Sequence, residues 1–361
     1  MTKLCKDKRD EILDKVVDFA RQLFVGVIQS RTGSLSEIAK ILRFQKGTKG
    51  FDRMYEKLLP IIEGIREAFK SVLLKELPLE GLRLGIIDDS SIKKVGKLFP
   101  KQQIHHDSST NSFYSGMKVL SSAVYQNGKM AIVDSIIVGK NDNKLDVAKQ
   151  EVDNLITNYF VDIFLFDAWY CKNTLLEHIQ KRNKLFVSRL RRDTKTEFSE
   201  EEVRLDALFK NLPHHEFTQE KISAKSYWII DEMFYLKAYG YLRVIISKEG
   251  QYDEPVFLIT NAYNFSAKFI VKLYLKRFSI EVFFKDAKQF LNFESFLCRK
   301  ESKWKLHLLL TNVLHWSIQI KKSISKTIRN IRDNVEKCSL FINQNKLIKK
   351  FLVELLKKCQ T

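Results

Sequence analysis

The chain has 361 residues, 45% of them hydrophobic, and carries a formal net charge of +19. That apolar share excludes a disordered tail, and the length suffices for two or three domains around a large core. The basic residues are spread along the whole chain, which favours an extended polyanion such as nucleic acid over a small anionic substrate.

From the N-terminus to about Pro78 the pattern is helical. Ile12, Val16, Phe19, Leu23 and Val27 recur at helical spacing. Ser34-Leu-Ser-Glu37 has the form of a capping box and opens the run Ile38, Ile41, Leu42. The basic turn Lys46-Gly-Thr-Lys-Gly50 closes it. Such a bundle fits DNA binding or plain packing, and these residues alone leave both open.

The middle of the chain reads as mixed α/β. Leu82 to Asp88 is a strand that ends in GIIDDSS. Gly116–Tyr125 and Lys129–Val138 flank Gln126-Asn-Gly128, the signal of a hairpin. Leu145 to Thr157 is a helix, and Val161–Phe166 is a buried strand running into Asp167. A helix over Asn173–Gln180 and a strand over Leu185–Arg189 follow. His105 and His106 fall in a polar loop ahead of the Gly116 strand.

After Arg191 the composition becomes rich in strands, with Lys and Arg among aromatics: Ser226–Ile230, Phe234–Tyr239 and Tyr241–Ile246. Pro255–Thr260 returns to the sheet. From Ser302 onward the chain is helical and Lys-rich, and it closes on an amphipathic run from Leu347 to Leu356.

Between these lies YLKRFSIEVFFKDAK, Tyr274 to Lys288. On one continuous helix, at about 100° per residue, Tyr274, Arg277, Glu281 and Lys288 share an arc of about 60°. Phe284 and Leu291 flank that arc on one side, Phe278 and Val282 on the other. Lys276, Ser279 and Asp286 form the expected solvent face. A narrow polar stripe bedded in apolar surface needs a polar or anionic partner. It equally fits an internal Arg277–Glu281 pair at i,i+4.

Three acidic positions stand out by context: Asp88 with Asp89, Asp167, and Glu281. Carboxylates at the ends of apolar strands are costly unless paired or bound to metal. Oxygen-only ligands on separate elements suit Mg²⁺ or Mn²⁺, which can activate a water or a 3′-hydroxyl in phosphodiester chemistry. Taken singly, each Asp is also an ordinary turn-former or helix cap.

Tyr274-x2-Arg277-x3-Glu281-x6-Lys288 resembles the Y-R-E-K signature of bacterial insertion-sequence transposases of the DDE class. IIDDSS is similar to that family's first-aspartate context and LFDAWY to its second. The residue after the Arg, often Trp in the family, is Phe278 here. The resemblance runs from about Leu82 to Trp316. It implies a ribonuclease-H-like mixed sheet core with a β-rich insertion, flanked by helical regions. The expected division is a DNA-binding region over 1–78, core over 79–190, insertion over 191–255, core again over 256–300, and a helical region over 301–361.

The resemblance also implies Mg²⁺-dependent cut-and-paste transposition, with Asp88 or Asp89, Asp167 and Glu281 as catalytic metal ligands. Asp88 with Ser90 and Asp89 with Ser91 both fit D-x-[ST]; Asp88 is preferred. Tyr274, Arg277 and Lys288 become contacts to transposon-end phosphates, with Lys285 a further DNA contact on the same helix. Trp228 and Tyr241 are candidates to stack a base extruded from the duplex. The implied partner is double-stranded DNA, both transposon ends and target, held by a homodimer that brings two ends together. The alternatives are a nuclease of the same fold without strand transfer, or a DNA-binding protein that has lost catalysis.

Five cysteines, Cys5, Cys171, Cys298, Cys338 and Cys359, form no C-x2-C pair, which argues against zinc ribbons and a disulfide framework. The charged first residues do not read as a signal peptide, and no apolar run reaches the roughly 18 residues of a membrane span. A cytoplasmic, nucleoid-associated protein is expected.

Overall fold

The computed structural model describes residues 52–324 except 54, 57, 78–79, 108–109, 199–200, 211–213, 251–252, 292 and 295. The capping box at Ser34 and the closing run from Leu347 lie outside the described residues. Helix α1 (Ile62–Glu76) buries Ile65, Ala68, Phe69, Val72 and Leu73, the spacing of one helical face. An antiparallel meander follows: β1 (Leu84–Lys93), a short β2 (Gln103–Asp107), the long β3 (Ser112–Gln126) and β4 (Lys129–Val138). Asn127 and Gly128, with φ of 48° and 80°, make the two-residue turn between β3 and β4. Both central residues have positive φ, the condition that an Asn-Gly turn meets at least cost.

Helix α2 (Lys144–Tyr159) opens on Asn143, whose side chain accepts the Leu145 N–H. It leads to β5 (Ile163–Phe166), α3 (Asn173–Gln180) and β6 (Leu185–Arg189). β1, β5 and β6 run parallel. All four residues of β5 are buried, as expected of a strand covered on both faces. Next come β7 (Lys195–Phe198), β8 (Glu201–Arg204), α4 (Leu205–Lys210), β9 (Thr218–Ile222), β10 (Lys225–Leu236) and β11 (Gly240–Lys248). The chain returns through β12 (Val256–Thr260), antiparallel to β6.

The twelve strands make one sheet in the order β2-β3-β1-β5-β6-β12-β11-β10-β7-β8, with β4 beside β3 and β9 beside β10. The strands after Arg191 therefore extend the central sheet. α5 (Ala267–Tyr274), α6 (Phe278–Phe290) and α7 (Glu301–Ile324) complete the described chain. α7 lies against β4, where the Ser135 hydroxyl donates to Asn312 at 3.2 Å. No helix among the described residues is long and apolar enough to cross a membrane.

Four expectations need correction. β1 does not end at Asp88: it continues through the polar DDSS to Lys93, because β3 pairs with it over its whole length. Asp88 therefore sits inside a strand, opposite Ser121. Ser226–Ile230 and Phe234–Tyr239 are not two strands, since β10 runs through all of the first and the first half of the second against β11. His105 and His106 lie on β2, not in a loop, and His105 is buried.

The fourth concerns the helix from Tyr274 to Lys288, which is broken. Leu275–Arg277 is a 3₁₀ turn between α5 and α6. A 3₁₀ turn winds about 120° per residue where an α-helix winds about 100°. The phase of everything beyond it is therefore advanced. Phe278 and Val282 consequently face solvent beside Glu281, at 43% and 52% exposure.

Candidate active site

β1 carries Asp88 and Asp89 on opposite faces, because successive side chains of a strand alternate. The two faces differ in their neighbours. On one, the buried Arg277 donates from Nη1 to Asp88 Oδ2 at 3.1 Å and from Nη2 to Glu281 Oε1 at 2.5 Å. The 3₁₀ turn delivers this side chain into the sheet. The first turn of α6 leaves Glu281 half-exposed above it.

Asp167 stands just past β5, the parallel neighbour of β1. Its Oδ1 accepts the backbone N–H of Trp169 at 2.9 Å and of Tyr170 at 3.3 Å, which fixes the carboxylate in a tight turn. Asp88 feels its charge. Burial pushes the Asp88 carboxyl up to about 7, and the neighbouring Asp167 adds to the rise against the opposing pull of Arg277.

Asp89 is in the opposite condition. Burial alone would raise it, but Lys144 and Lys118 outweigh that and hold it below the ordinary carboxylate range. Lys144 bonds its Oδ1, the Tyr170 hydroxyl donates to the same oxygen at 2.7 Å, and Lys118 stands 3.2 Å from Oδ2. Two adjacent aspartates are thus driven apart in acidity by the side of the strand on which each falls.

The other expected site residues are placed as follows. Tyr274 is buried, and its hydroxyl and Arg277 Nε have no hydrogen-bond partner. Burial pushes the phenol up, while the charges of Arg277 and Arg189 draw it down. Lys288 does not point at the carboxylates. It donates to the Ser91 carbonyl at 2.9 Å and lies 3.3 Å from Glu294, tying α6 to β1. Lys285 is exposed on α6. Trp228 is partly buried and Tyr241 is 73% exposed, both on the outer strands.

Asp88 and Glu281 meet at Arg277, and Asp167 lies near enough to raise Asp88, whereas Asp89 turns away from them. Sequence reasoning missed Lys144, Lys118 and Arg189. Nothing in their local pattern separates them from other basic residues; only the sheet brings them near the carboxylates. Among the described residues, no three of His, Cys, Asp and Glu stand close enough together to hold a metal ion in this arrangement. The donors nevertheless suit one. Asp88 and Asp167 repel each other, a tension that a divalent cation relieves, and oxygen-only carboxylates match Mg²⁺ or Mn²⁺.

A mixed sheet with an antiparallel meander, two parallel neighbours and acidic side chains converging across β1 and β5 defines an α/β domain with a carboxylate centre. A family model described as the transposase DDE domain matches residues 80–318, and the chain belongs to that family. The mixed sheet is consistent with the ribonuclease-H-like core of such transposases. Membership implies DNA transposition and DNA binding, and the family generally uses a divalent metal. No curated protein matches the chain significantly.

Proposed function

We propose that this transposase cuts and rejoins DNA at the terminal inverted repeats of an insertion sequence, with Asp88, Asp167 and Glu281 as its catalytic carboxylates. The observation that carries the reading is the division of labour on β1. Asp88 shares Arg277 with Glu281 and feels Asp167, while Asp89 is saturated by two lysines and a tyrosine. Asp89 is then a positioning residue that holds Lys144 and Tyr170.

Mg²⁺ or Mn²⁺ bound to these carboxylates would activate a water or a 3′-hydroxyl and stabilise the leaving oxygen. The chain's own residues do the rest. Arg277 holds Asp88 and Glu281 near each other and offsets their charge. Asp167 is kept in one orientation by its two backbone donors. Tyr274 and Arg277 would contact a phosphate oxygen of the transposon end. Lys288 fixes α6 on β1, and Lys285 faces outward toward DNA. A homodimer would bring two ends together.

The test is cleavage of a labelled duplex carrying the element's ends, with Mg²⁺ or with EDTA. Metal-dependent nicking at the element boundary, lost in Glu281→Gln, is expected. Hydrolysis without joined products would favour a nuclease, and binding without cutting an inactive DNA-binding derivative.

A further inference from the structure

α6 is held at both ends. At its start, Arg277 meets Asp88 and Glu281. Its far end is tied to β1 by two lysines that reach from opposite sides. Lys288, on α6, donates to the Ser91 carbonyl at 2.9 Å and lies 3.3 Å from the Glu294 carboxylate. Lys94, the first residue past β1, reaches back from the sheet. Its N–H donates to the Ser115 carbonyl at 2.9 Å, so β3 fixes its backbone. An even step from Asp88 keeps it on the same face of the sheet. Its ammonium donates to the Glu294 carbonyl and, at 2.9 Å, to the Phe296 carbonyl, both just past α6 in the chain.

Lys94 takes no part in the chemistry of the carboxylates, yet it is only 5% exposed. Its ammonium lies 4.7 Å over the Trp304 ring and 5.4 Å over that of Phe99. Burial draws it down to about 8, and the Glu294 carboxylate offsets only part of that. A charge is therefore kept here at a cost that an apolar side chain of the same length avoids. The carbonyl it holds belongs to a residue that is itself fixed. The Phe296 ring stacks on His307 at 4.2 Å, meets Trp304 edge-on at 5.0 Å and has the Tyr55 ring at 5.2 Å. Through Phe296 the tie reaches α7, the helix laid against β4.

The tie controls rotation. Glu281 and Lys288 are seven residues apart, so they lie within about 20° of each other around α6. Holding Lys288 and the backbone beyond it against β1 therefore holds Glu281 toward Asp88. Ile280, Phe283, Phe284 and Ala287 bury the apolar side of α6, but apolar packing is non-directional and leaves the last degrees open. A side-chain end stands about 5–6 Å from a helix axis, so a turn of about 20° carries it about 2 Å. A misplacement of about 1 Å can cost about a hundredfold in rate. The 3₁₀ turn at Leu275–Arg277 gives α6 a hinge about which such a turn is easy.

We propose that Lys94 is a positioning residue, which locks the rotation of α6 through the Glu294 and Phe296 carbonyls and so aims Glu281 at the carboxylate centre. The proposal rests on the transposase reading, which makes Glu281 catalytic.

The experiment compares wild type, Lys94→Met and Lys94→Arg in two measurements. One is Mg²⁺-dependent cleavage of the duplex carrying the element's ends. The other is hydrogen exchange of the α6 and α3 amides in the protein without DNA. Lys94→Met keeps the length and drops the donors, whereas Lys94→Arg keeps charge and donors. Lys94→Gln, which keeps a donor group on a shorter stem, takes the place of Lys94→Met should that variant not fold. In Lys94→Met the α6 amides should exchange faster while the α3 amides keep their wild-type rates. Its kcat should fall by up to about a hundredfold with the KM for duplex unchanged, and Lys94→Arg should recover most of the loss. Wild-type kcat in Lys94→Met would overturn the proposal. So would α3 and α6 exchanging faster together, which reports general loosening and no control of α6. Wild type that never cleaves, with α6 alone loosened in Lys94→Met, would support the tie and sink the catalytic reading. Wild type that never cleaves, with α6 exchange unchanged, sinks both.

Discussion

Replacing Asp88 by Asn tests the electrostatics of the carboxylate centre directly. Asp88 titrates near 7, against about 3.8 for a free carboxyl, chiefly because it is buried and secondly because Asp167 is near. An acid whose folded value is raised stabilises the fold least when ionised. Its full contribution is present below about 3.8 and is lost as pH rises toward about 7. Each tenfold change in acidity is worth about 1.4 kcal/mol, so the loss at pH 8 reaches about 4 kcal/mol at most. Asn removes the charge and keeps an oxygen for Arg277 Nη1. Some favourable charge pairing with Arg277 goes too, so a net gain of about 1–3 kcal/mol is expected at pH 8. The assay is urea unfolding in EDTA at pH 8 and pH 4. Asp88→Asn should be more stable than wild type at pH 8 and nearly equal at pH 4. Added Mg²⁺ should then stabilise wild type and not the variant, since only wild type keeps the ligand charge. A variant less stable at pH 8, or a gap unchanged between the two pH values, would refute the reasoning. The same substitution should abolish cleavage, so stability and activity would move in opposite directions.

Three further outcomes are expected. Arg277→Ala leaves two carboxylates without their shared buried cation and should cost about 3–5 kcal/mol in urea unfolding; if Arg277 also holds a phosphate, the salt slope of end binding should fall by about 0.9. Glu281→Gln, half-exposed on α6, should leave thermal stability and end binding close to wild type while eliminating Mg²⁺-dependent nicking. Gly116→Ala forces a Cβ against a backbone carbonyl and should lower stability by about 1–3 kcal/mol, measured by the melting temperature.

Much of the fold could be read from local pattern. α3 and β6 occupy the expected spans, and the Asn127-Gly128 turn has the backbone its residues favour. These elements are set by neighbours in the sequence. The misreadings share one physical cause, which is pairing at a distance. DDSS looks like a loop until β3 is laid beside it, and β10 stays one strand because β11 pairs along it. The candidate site was legible as residue types and only partly as geometry. Strand alternation puts Asp88 and Asp89 on opposite faces, but it cannot say what covers each face. Arg277 supplies that answer on one side, and Lys144 and Lys118 on the other, from residues far along the chain. The 3₁₀ turn at Leu275 was invisible because its sequence suits an α-helix equally well.

The continuity of the sheet across residues 191–255 also bears on how this protein can be taken apart. β12 has β6 on one side and β11 on the other, and four of its five residues are buried. Deleting the outer strands would turn Phe257, Leu258 and Ile259 into a bare apolar edge, a template on which a second molecule can add a strand. A truncated catalytic core would therefore be recovered as fibres or inclusion bodies before its chemistry could be assayed. Trimming from the far edge, at β8, removes only a short strand that is already polar and open to water.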